Sequence, residues 1–329
     1  MIELSDNELV FRFPEIHPEA HLTVNFQRTL RIPDDQRDYP LPPGLDPFPL
    51  LHVDDYAARL PDSWARRGGV LLPMYQAEGM WIAFESDYPF AVKVATGKIN
   101  AVSGEAWTER LTGEPQDYVV VPEQPWLDGY NIGHGRIRQF VAAPLGQGET
   151  VEEQLTGEAA HGGIQILACP MRAECFEHFF GQRDRSWDDV WMEADAAAPE
   201  MGLAAGGLMR QRIHEDPFGV ESWEQRTTSR CFIHLLDTRH FQQVTGYAAP
   251  QEPPSAEVYS RAGLPWFELY DADRATLEGA PRLQQVESLE TRRVREGRPP
   301  LQDSAPIDPE QVVGLATSST GPGGGGHRA

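Results

Sequence analysis

The chain has 329 residues, of which 28 are basic and 50 are acidic, and its formal net charge is −22. A negative field of this size repels nucleic acid and anionic lipid, so we expect neither nucleic acid nor a membrane as a partner. The three cysteines, Cys169, Cys175 and Cys231, form no CxxC pair, which argues against a disulfide framework or a zinc knuckle and favours a reducing compartment.

The N-terminal residues, Met1 to Asp6, are acidic where a secretory signal is basic. No apolar run approaches the length that spans a bilayer. Together with the cysteine pattern, these features predict a soluble cytoplasmic protein. A chain of this length is expected to hold about two domains.

The clearest strand runs from His21 to Ile32, where apolar residues alternate with polar ones. Arg28 interrupts the apolar face. A charged group there must reach the sheet edge or be paired, because an unpaired buried guanidinium is very costly. The alternative interpretation is an arginine that faces a ligand.

Four potential metal ligands lie at every second residue near the start of this strand: Glu15, His17, Glu19 and His21. On an extended segment they would share one face. Pro18 lies between the histidines and no cysteine accompanies them, so a solvated loop is the default interpretation. We therefore predict no metal, and the absence of a cofactor motif predicts no cofactor.

Residues 33 to 121 are predicted to pass from an extended segment through a helix to consecutive strands. Prolines keep residues 33–49 extended, and residues 54–67 have the pattern of a helix that ends at a Gly-Gly pair. The strand-like segments that follow are divided by short turns, which favours antiparallel pairing: 70–72, 80–84, 90–95, 99–102 and 118–121.

The only two lysines, Lys93 and Lys98, lie in one hairpin-like part of this region. A buried lysine can lose its proton and an arginine cannot, so the presence of two lysines in an arginine-rich chain is compatible with a functional lysine. Chance and solvent exposure are the alternative explanation.

The stretch from Gly129 to Pro170 predicts a strand, a turn, a short helix and a second strand. Thr150 and Glu153 form a capping box that begins the helix, and Gly157 is suited to end it. The turn at residues 146–150 resembles an anion-binding turn, but the capping box uses some of its amides and acidic neighbours repel phosphate. Capping is therefore the favoured interpretation.

Beyond Pro170 the pattern changes to helical segments. The predicted helices are 172–180, 186–198, 238–245 and 255–263, and residues 202–207 are predicted to be a small-residue connector. We therefore expect an α+β fold with three parts. They are a mainly antiparallel β-sheet in residues 1–171, a helix-rich part in residues 172–296 docked on it, and a disordered tail in residues 297–329.

Part of the Gly129 to Pro170 unit recurs downstream. Residues 135–146 align with residues 207–219 through a glycine, an apolar-Arg-Gln strand and a Pro-apolar-Gly turn, and Glu-Gln-x-Thr and an apolar strand follow in both. The alignment needs gaps, so a partial internal duplication is a hypothesis. If the copies pack about a pseudo-twofold axis, Arg138 and Arg210 face each other.

This arrangement predicts a donor-rich ligand site made by six side chains: Arg138, Gln139, Gln154, Arg210, Gln211 and Gln225. Paired arginines with amides suit a carboxylate, a phosphate or a polyhydroxyl ligand. In the alternative interpretation, the same groups satisfy one another's hydrogen bonds and hold the two halves together. His161 and Glu153 are the candidates for a general base.

The sequence contains no GxxxxGK[ST], GxSxG or HExxH motif. We therefore expect a protein that binds a small polar or anionic ligand, or a protein partner, without catalysis. The alternative is a hydrolase or transferase acting on an anionic or sugar-like substrate. In that enzyme His161 or Glu153 is the base, and Arg138 or Arg210 stabilises charge.

Overall fold

The computed structural model describes residues 1–35, 37–181, 200–270, 274–301, 307 and 309–316. The strands in these residues are β1 (Ile2–Ser5), β2 (Glu8–Arg12), β3 (His21–Thr29), β4 (Asp38–Tyr39), β5 (Gly44–Pro47), β6 (Leu51–His52), β7 (Val70–Met74), β8 (Gly79–Glu85), β9 (Phe90–Thr96), β10 (Ile99–Asn100), β11 (Val119–Val121), β12 (Trp126–Leu127), β13 (Gly129–Gly133), β14 (Arg136–Pro144), β15 (Ile164–Pro170), β16 (Glu200–Arg210), β17 (Ser229–Asp237), β18 (Trp266–Tyr270) and β19 (Val312–Ala316). The α-helices are α1 (Asp62–Arg67), α2 (Val151–Thr156), α3 (Ala173–Phe180), α4 (Thr238–Thr245), α5 (Ala256–Arg261), α6 (Pro281–Gln284) and α7 (Leu289–Arg295). Short 3₁₀ helices lie at Val53–Arg59, Val220–Ser222 and Pro309–Gln311.

Strands β1 to β17 belong to one mainly antiparallel sheet, and β18 pairs with β19 in parallel. One section of the large sheet has the order β1-β2-β3-β8-β14-β16. The other has the order β7-β17-β15-β9-β11. Two residue pairs, Glu200 with Leu236 and Met201 with Leu235, join the sections where β16 meets β17.

Apolar alternation builds this sheet around one large core. In β3 the even-numbered residues from Leu22 to Arg28 are buried and the odd-numbered ones up to Gln27 are partly exposed. β9 and β15 are buried along their whole length because they lie in the interior of the sheet. The predicted alternation in β3 is therefore confirmed.

The expected α+β fold with a helix-rich C-terminal half is wrong. The structure is 37% strand and 20% helix, and its helices are few and short. The predicted connector 202–207 is the middle of β16, where a Cβ at Gly206 would lie 2.5 Å from Val141 Cγ2 on β14. A Cβ at Gly207 would likewise lie 2.4 Å from the Pro33 carbonyl oxygen. The small residues are there because neighbouring segments pack closely against β16, and they do not mark a loop.

Several local predictions agree with the structure, and others do not. The helices at 172–180, 238–245 and 255–263 are present as α3, α4 and α5. The predicted helix 54–67 is two helical pieces, because Pro61 lacks an amide proton and separates Val53–Arg59 from α1. The predicted helix 186–198 lies outside the described residues. In the predicted tail β19 is a strand, and residues 317–329 lie outside the described part. No helix in the described ranges is long and apolar enough to cross a membrane.

The internal duplication is not confirmed. Residues 135–141 enter β14, whereas residues 207–213 leave the C-terminal end of β16. The two aligned segments therefore follow unlike backbone paths. The two Glu-Gln-x-Thr segments also differ, because residues 153–156 belong to α2 and residues 224–227 lie outside any helix. Only the apolar strands that follow, β15 and β17, correspond.

Candidate ligand-binding groove

A groove of about 540 Å³ lies where the two sections of the sheet meet. Pro144, Met201 and Leu236 line it from β14, β16 and β17. Met201 pairs with Pro144 on one side and with Leu235 on the other, so the junction itself forms the floor. Residues 59–61 and α4 form its walls, and Trp64 adds to the floor.

The floor of the groove is apolar and closely packed. Trp64, Met201 and Leu236 expose 4%, 3% and 1% of their surfaces. The Trp64 indole stacks on His234 with 4.3 Å between the ring centroids. The His234 Nε2 is 3.0 Å from the Gly68 carbonyl oxygen, and burial lowers the pKa of His234 to about 4. A neutral imidazole therefore packs beneath the indole.

Local sequence features place the two walls. Pro61 lies directly before α1 and begins one wall. On the other wall the Asp237 carboxylate accepts a hydrogen bond from the Arg239 amide at 2.7 Å and caps α4. Arg59 Nη1 donates to the carbonyl oxygen of Val244 at 2.8 Å, which links the two walls.

Polar groups at the groove come from four side chains: Arg59, Gln76, Asp237 and His240. Arg59, Gln76 and His240 are exposed, whereas the apolar floor is buried. An apolar cavity with a few polar groups is the usual form of a small-molecule site. The arrangement suits a molecule with an apolar body and a polar group.

His161, a candidate base, lies close to this groove. Its Nδ1 is 2.9 Å from Arg67 Nη2 on α1, the helix that also carries Trp64. The following residue, Gly162, lies against Leu145, next to the lining residue Pro144. Burial, reinforced by the charges of Lys98 and Arg67, lowers the pKa of His161.

Arg138 and Arg210 lie on neighbouring strands, but each guanidinium has its own carboxylate. In the β14–β16 register Arg138 is opposite Leu208, two residues before Arg210. Arg138 Nη1 donates to the Gly206 carbonyl oxygen at 3.2 Å and lies 3.7 Å from the buried Asp34 Oδ1. Arg210 is exposed and pairs with Glu268. Burial raises the pKa of Asp34 and lowers that of Arg138.

The four predicted glutamines hydrogen bond with the backbone at separate places. Each side chain hydrogen bonds with the backbone of two residues: Gln139 with Leu30 and Ile32, Gln154 with Glu149 and Glu287, Gln211 with Trp126 and Asp128, and Gln225 with Leu111 and Val220. Both amide atoms of each side chain have partners. The structure does not bring these side chains into one pocket with the arginines.

Glu153, the other candidate base, accepts hydrogen bonds from the turn that precedes its helix. The amides of Gly146, Gly148 and Thr150 lie 2.8, 2.9 and 3.2 Å from its carboxylate oxygens. The Thr150 hydroxyl donates to the same carboxylate at 2.7 Å, and the capping box predicted from the sequence is confirmed. An internal carboxylate thus occupies the turn that resembled an anion site.

Of the four residues considered as potential metal ligands, His17 and Glu19 hydrogen bond with each other. His17 Nδ1 accepts a hydrogen bond from the Glu19 amide at 3.2 Å, and the ring stacks on Tyr88 at 5.2 Å. Among the described residues, no group of three His, Cys, Asp or Glu side chains is suited to hold a metal ion.

Asp128 is a buried acid whose ionisation makes the stability of the protein depend on pH. Its carboxylate is 4% exposed and accepts a hydrogen bond from Trp126 Nε1 at 2.7 Å. Burial raises the pKa of Asp128 to about 7. The native state therefore keeps a proton that the unfolded chain has lost between pH 5 and pH 7, and stability falls as the pH rises through this range.

We expect the free energy of unfolding of the native protein to fall by about 2–3 kcal/mol from pH 5 to pH 8 relative to Asp128→Asn, which cannot ionise. Urea unfolding at both pH values measures the difference. Asp62→Asn is the control, because the Asp62 side chain is 95% exposed. Equal pH dependence in the native protein and Asp128→Asn would contradict the assignment.

The sequence places Trp64 in the predicted helix 54–67 but does not connect it with a site. The sequence around Met201 and Leu236 does not indicate a site, because these two residues come together only through the β16–β17 pairing. Near the groove, the sequence singles out His161 as a candidate general base and Lys98 as one of two lysines. Comparison of the chain with protein-family models, curated proteins and solved structures found no match.

Proposed function

We propose that the protein binds a small molecule with an apolar body in the groove between α4 and the segment 59–64. The observation that carries this proposal is the open volume of about 540 Å³ above the buried floor of Trp64, Met201 and Leu236. Burying an apolar ligand surface there is favourable by about 25 cal/mol per Å² before the cost of immobilising the ligand.

Binding without catalysis is better supported than an enzyme. Among the described residues that line the groove there is no serine, threonine, cysteine or lysine to act as a nucleophile. The Asp237 carboxylate already caps α4. The candidate bases His161 and Glu153 contact Arg67 and the Gly146–Thr150 turn respectively, and neither contacts Arg138 or Arg210.

The cysteines favour a reducing compartment, and we place the protein in the cytoplasm. All three cysteines are free thiols. Burial raises the pKa of the Cys169 and Cys231 thiols to about 12, so they are held as unreactive thiols. The net charge of −22 supports a small-molecule ligand over nucleic acid.

The neutral apolar dye N-phenyl-1-naphthylamine tests the groove directly. Its fluorescence should rise on binding to the native protein. Val244→Trp places an indole in the groove and should weaken dye binding at least about tenfold, which corresponds to about 1.4 kcal/mol. Val258→Trp is the matched control, because Val258 is 55% exposed on α5 and does not line the groove.

Dye binding that is unchanged in Val244→Trp would overturn the proposed site. Loss of binding in both tryptophan variants would also contradict it, because the effect would then not be specific to the groove. Thermal unfolding of each variant checks that the fold is retained.

A further inference from the structure

Three basic side chains come together beside the groove: Arg67, Lys98 and His161. Arg67 has no acceptor atom, so His161 Nδ1 must accept the hydrogen bond between them at 2.9 Å. The imidazole is therefore neutral and carries its proton on Nε2. Burial lowers the pKa of His161, and the positive charges of Lys98 and Arg67 lower it further.

The buried carboxylate of Glu152 brings the backbones of Lys98 and His161 together. It accepts a hydrogen bond from the Gly162 amide at 2.9 Å and from the amides of His161 and Lys98. Gly97 has a φ of +55°, and a Cβ there would collide with this carboxylate. The Glu152 carboxylate therefore links the turn at Gly97 and Lys98 with the turn at His161 and Gly162. Burial raises the pKa of Glu152.

Arg67 and Lys98 differ from most basic residues of this acidic chain. Among the described residues, no carboxylate lies within ion-pair distance of either group, whereas Arg66 pairs with Asp62 and Lys93 pairs with Asp117. Glu158 is close enough to His161 to oppose the fall in its pKa, but it does not pair with the cations. Burial raises the pKa of Glu152 and the charge of Lys98 opposes that rise, but the Glu152 carboxylate is occupied by backbone amides. Among the described residues, Arg67 and Lys98 therefore supply two cations without an ion-pair partner and His161 supplies a neutral donor, on a protein with a net charge of −22.

Strand β17 connects this cluster with the groove. Phe232, His234 and Leu236 alternate along one face of β17, a distance of about 13 Å. Leu236 lines the groove, His234 stacks under Trp64, and the Arg67 guanidinium lies 5.8 Å from the Phe232 ring centroid. The groove and the cluster therefore lie towards opposite ends of this face of β17, with Trp64 and His234 between them.

We propose that Arg67, Lys98 and His161 bind an anionic head group, a carboxylate or a phosphate, on the molecule whose apolar body occupies the groove. The inference rests on the proposed function. A guanidinium and an ammonium supply the opposite charge, and His161 Nε2 supplies a further donor. The ligand class is an amphipathic anion with an extended apolar chain.

Titration calorimetry with decanoate, decyl phosphate and decanol tests the head group, because the three probes share one chain. Decanoate or decyl phosphate should bind at least about tenfold more tightly than decanol. Arg67→Gln and Lys98→Gln should each weaken binding of the anion about tenfold and leave decanol and N-phenyl-1-naphthylamine unchanged. Arg66→Gln is the matched control on the same helix and should have no effect.

The tighter of the two anions identifies the head group as carboxylate or phosphate. The inference is overturned if decanol binds as tightly as both anions, or if anion binding survives both Arg67→Gln and Lys98→Gln. In those cases groove binding by the neutral dye still supports the proposed function. If neither the dye nor any decyl probe binds, both the groove proposal and the head-group inference fail.

Discussion

Replacing Lys93 with methionine should lower the free energy of unfolding by about 3–5 kcal/mol. Lys93 is completely buried in β9, and its ammonium donates to Thr108 Oγ1, the Arg110 carbonyl oxygen and Asp117 Oδ2 at 2.9, 2.7 and 2.5 Å. All three protons are used. Its loss leaves the Asp117 carboxylate buried without a countercharge, and the segment 108–117 loses its anchor to the sheet.

The other lysine is the matched control. Lys98 is exposed, so Lys98→Met should change stability by no more than about 0.5 kcal/mol. The double variant Lys93→Met with Asp117→Asn should recover part of the loss, because it removes the orphaned charge. Urea unfolding measures all three variants. If Lys93→Met is as stable as Lys98→Met, the Lys93–Asp117 pair does not stabilise the fold as proposed.

Replacing Arg28 with methionine should cost a similar amount, about 3–5 kcal/mol. Arg28 Nε donates to Glu78 Oε1 at 2.7 Å and Nη2 donates to the Gln251 carbonyl oxygen at 2.6 Å. Glu78 is 3% exposed, and burial raises its pKa despite the attraction of Arg28. The loss should be larger at pH 8 than at pH 5, because an unpaired Glu78 takes up a proton at the lower pH.

An exposed ion pair on the neighbouring strand provides the comparison. Arg12 pairs with Glu3, and both side chains are nearly half exposed, so Arg12→Met should cost no more than about 1 kcal/mol. Limited proteolysis should also show faster cleavage near Gln251 in Arg28→Met than in Arg12→Met. Equal unfolding midpoints for the two variants would contradict the importance of the buried pair.

Local rules predicted much of the secondary structure. The alternation in β3, the Thr150–Glu153 capping box and the Asp237 cap of α4 all depend on residues within a few positions of one another. The requirement that Arg28 be paired also followed from the cost of an isolated buried charge. The partner, Glu78, is 50 residues away, and nothing local identifies it.

The failures concern features that depend on distant strand pairing. The glycines and alanines of β16 have low strand propensity, and they suit a strand only because Val141 and its neighbours pack against them. The groove could not be predicted from the sequence for the same reason, because Trp64, Met201 and Leu236 meet through the β16–β17 junction. Arg67 and His161 are 94 residues apart, and sequence spacing does not connect them.

The two arginines of the predicted ligand site are close together in the sheet, and a binding role for them stays a prediction. Arg138 and Arg210 do lie on adjacent strands, as β14 and β16 pair. The antiparallel pairing of β14 with β16 accounts for this proximity without a duplication. Each guanidinium neighbours a separate carboxylate, Asp34 or Glu268, and binding of a ligand there would require one of these contacts to be replaced.

A crystal structure of the protein with decanoate is the most direct measurement of the central claim, that the sheet junction holds an amphipathic anion. We expect the alkyl chain to lie against Trp64, Met201 and Leu236, with the carboxylate in hydrogen-bond distance of Arg67 or Lys98. Decanoate bound only elsewhere, or an empty groove at saturating decanoate, would contradict the claim.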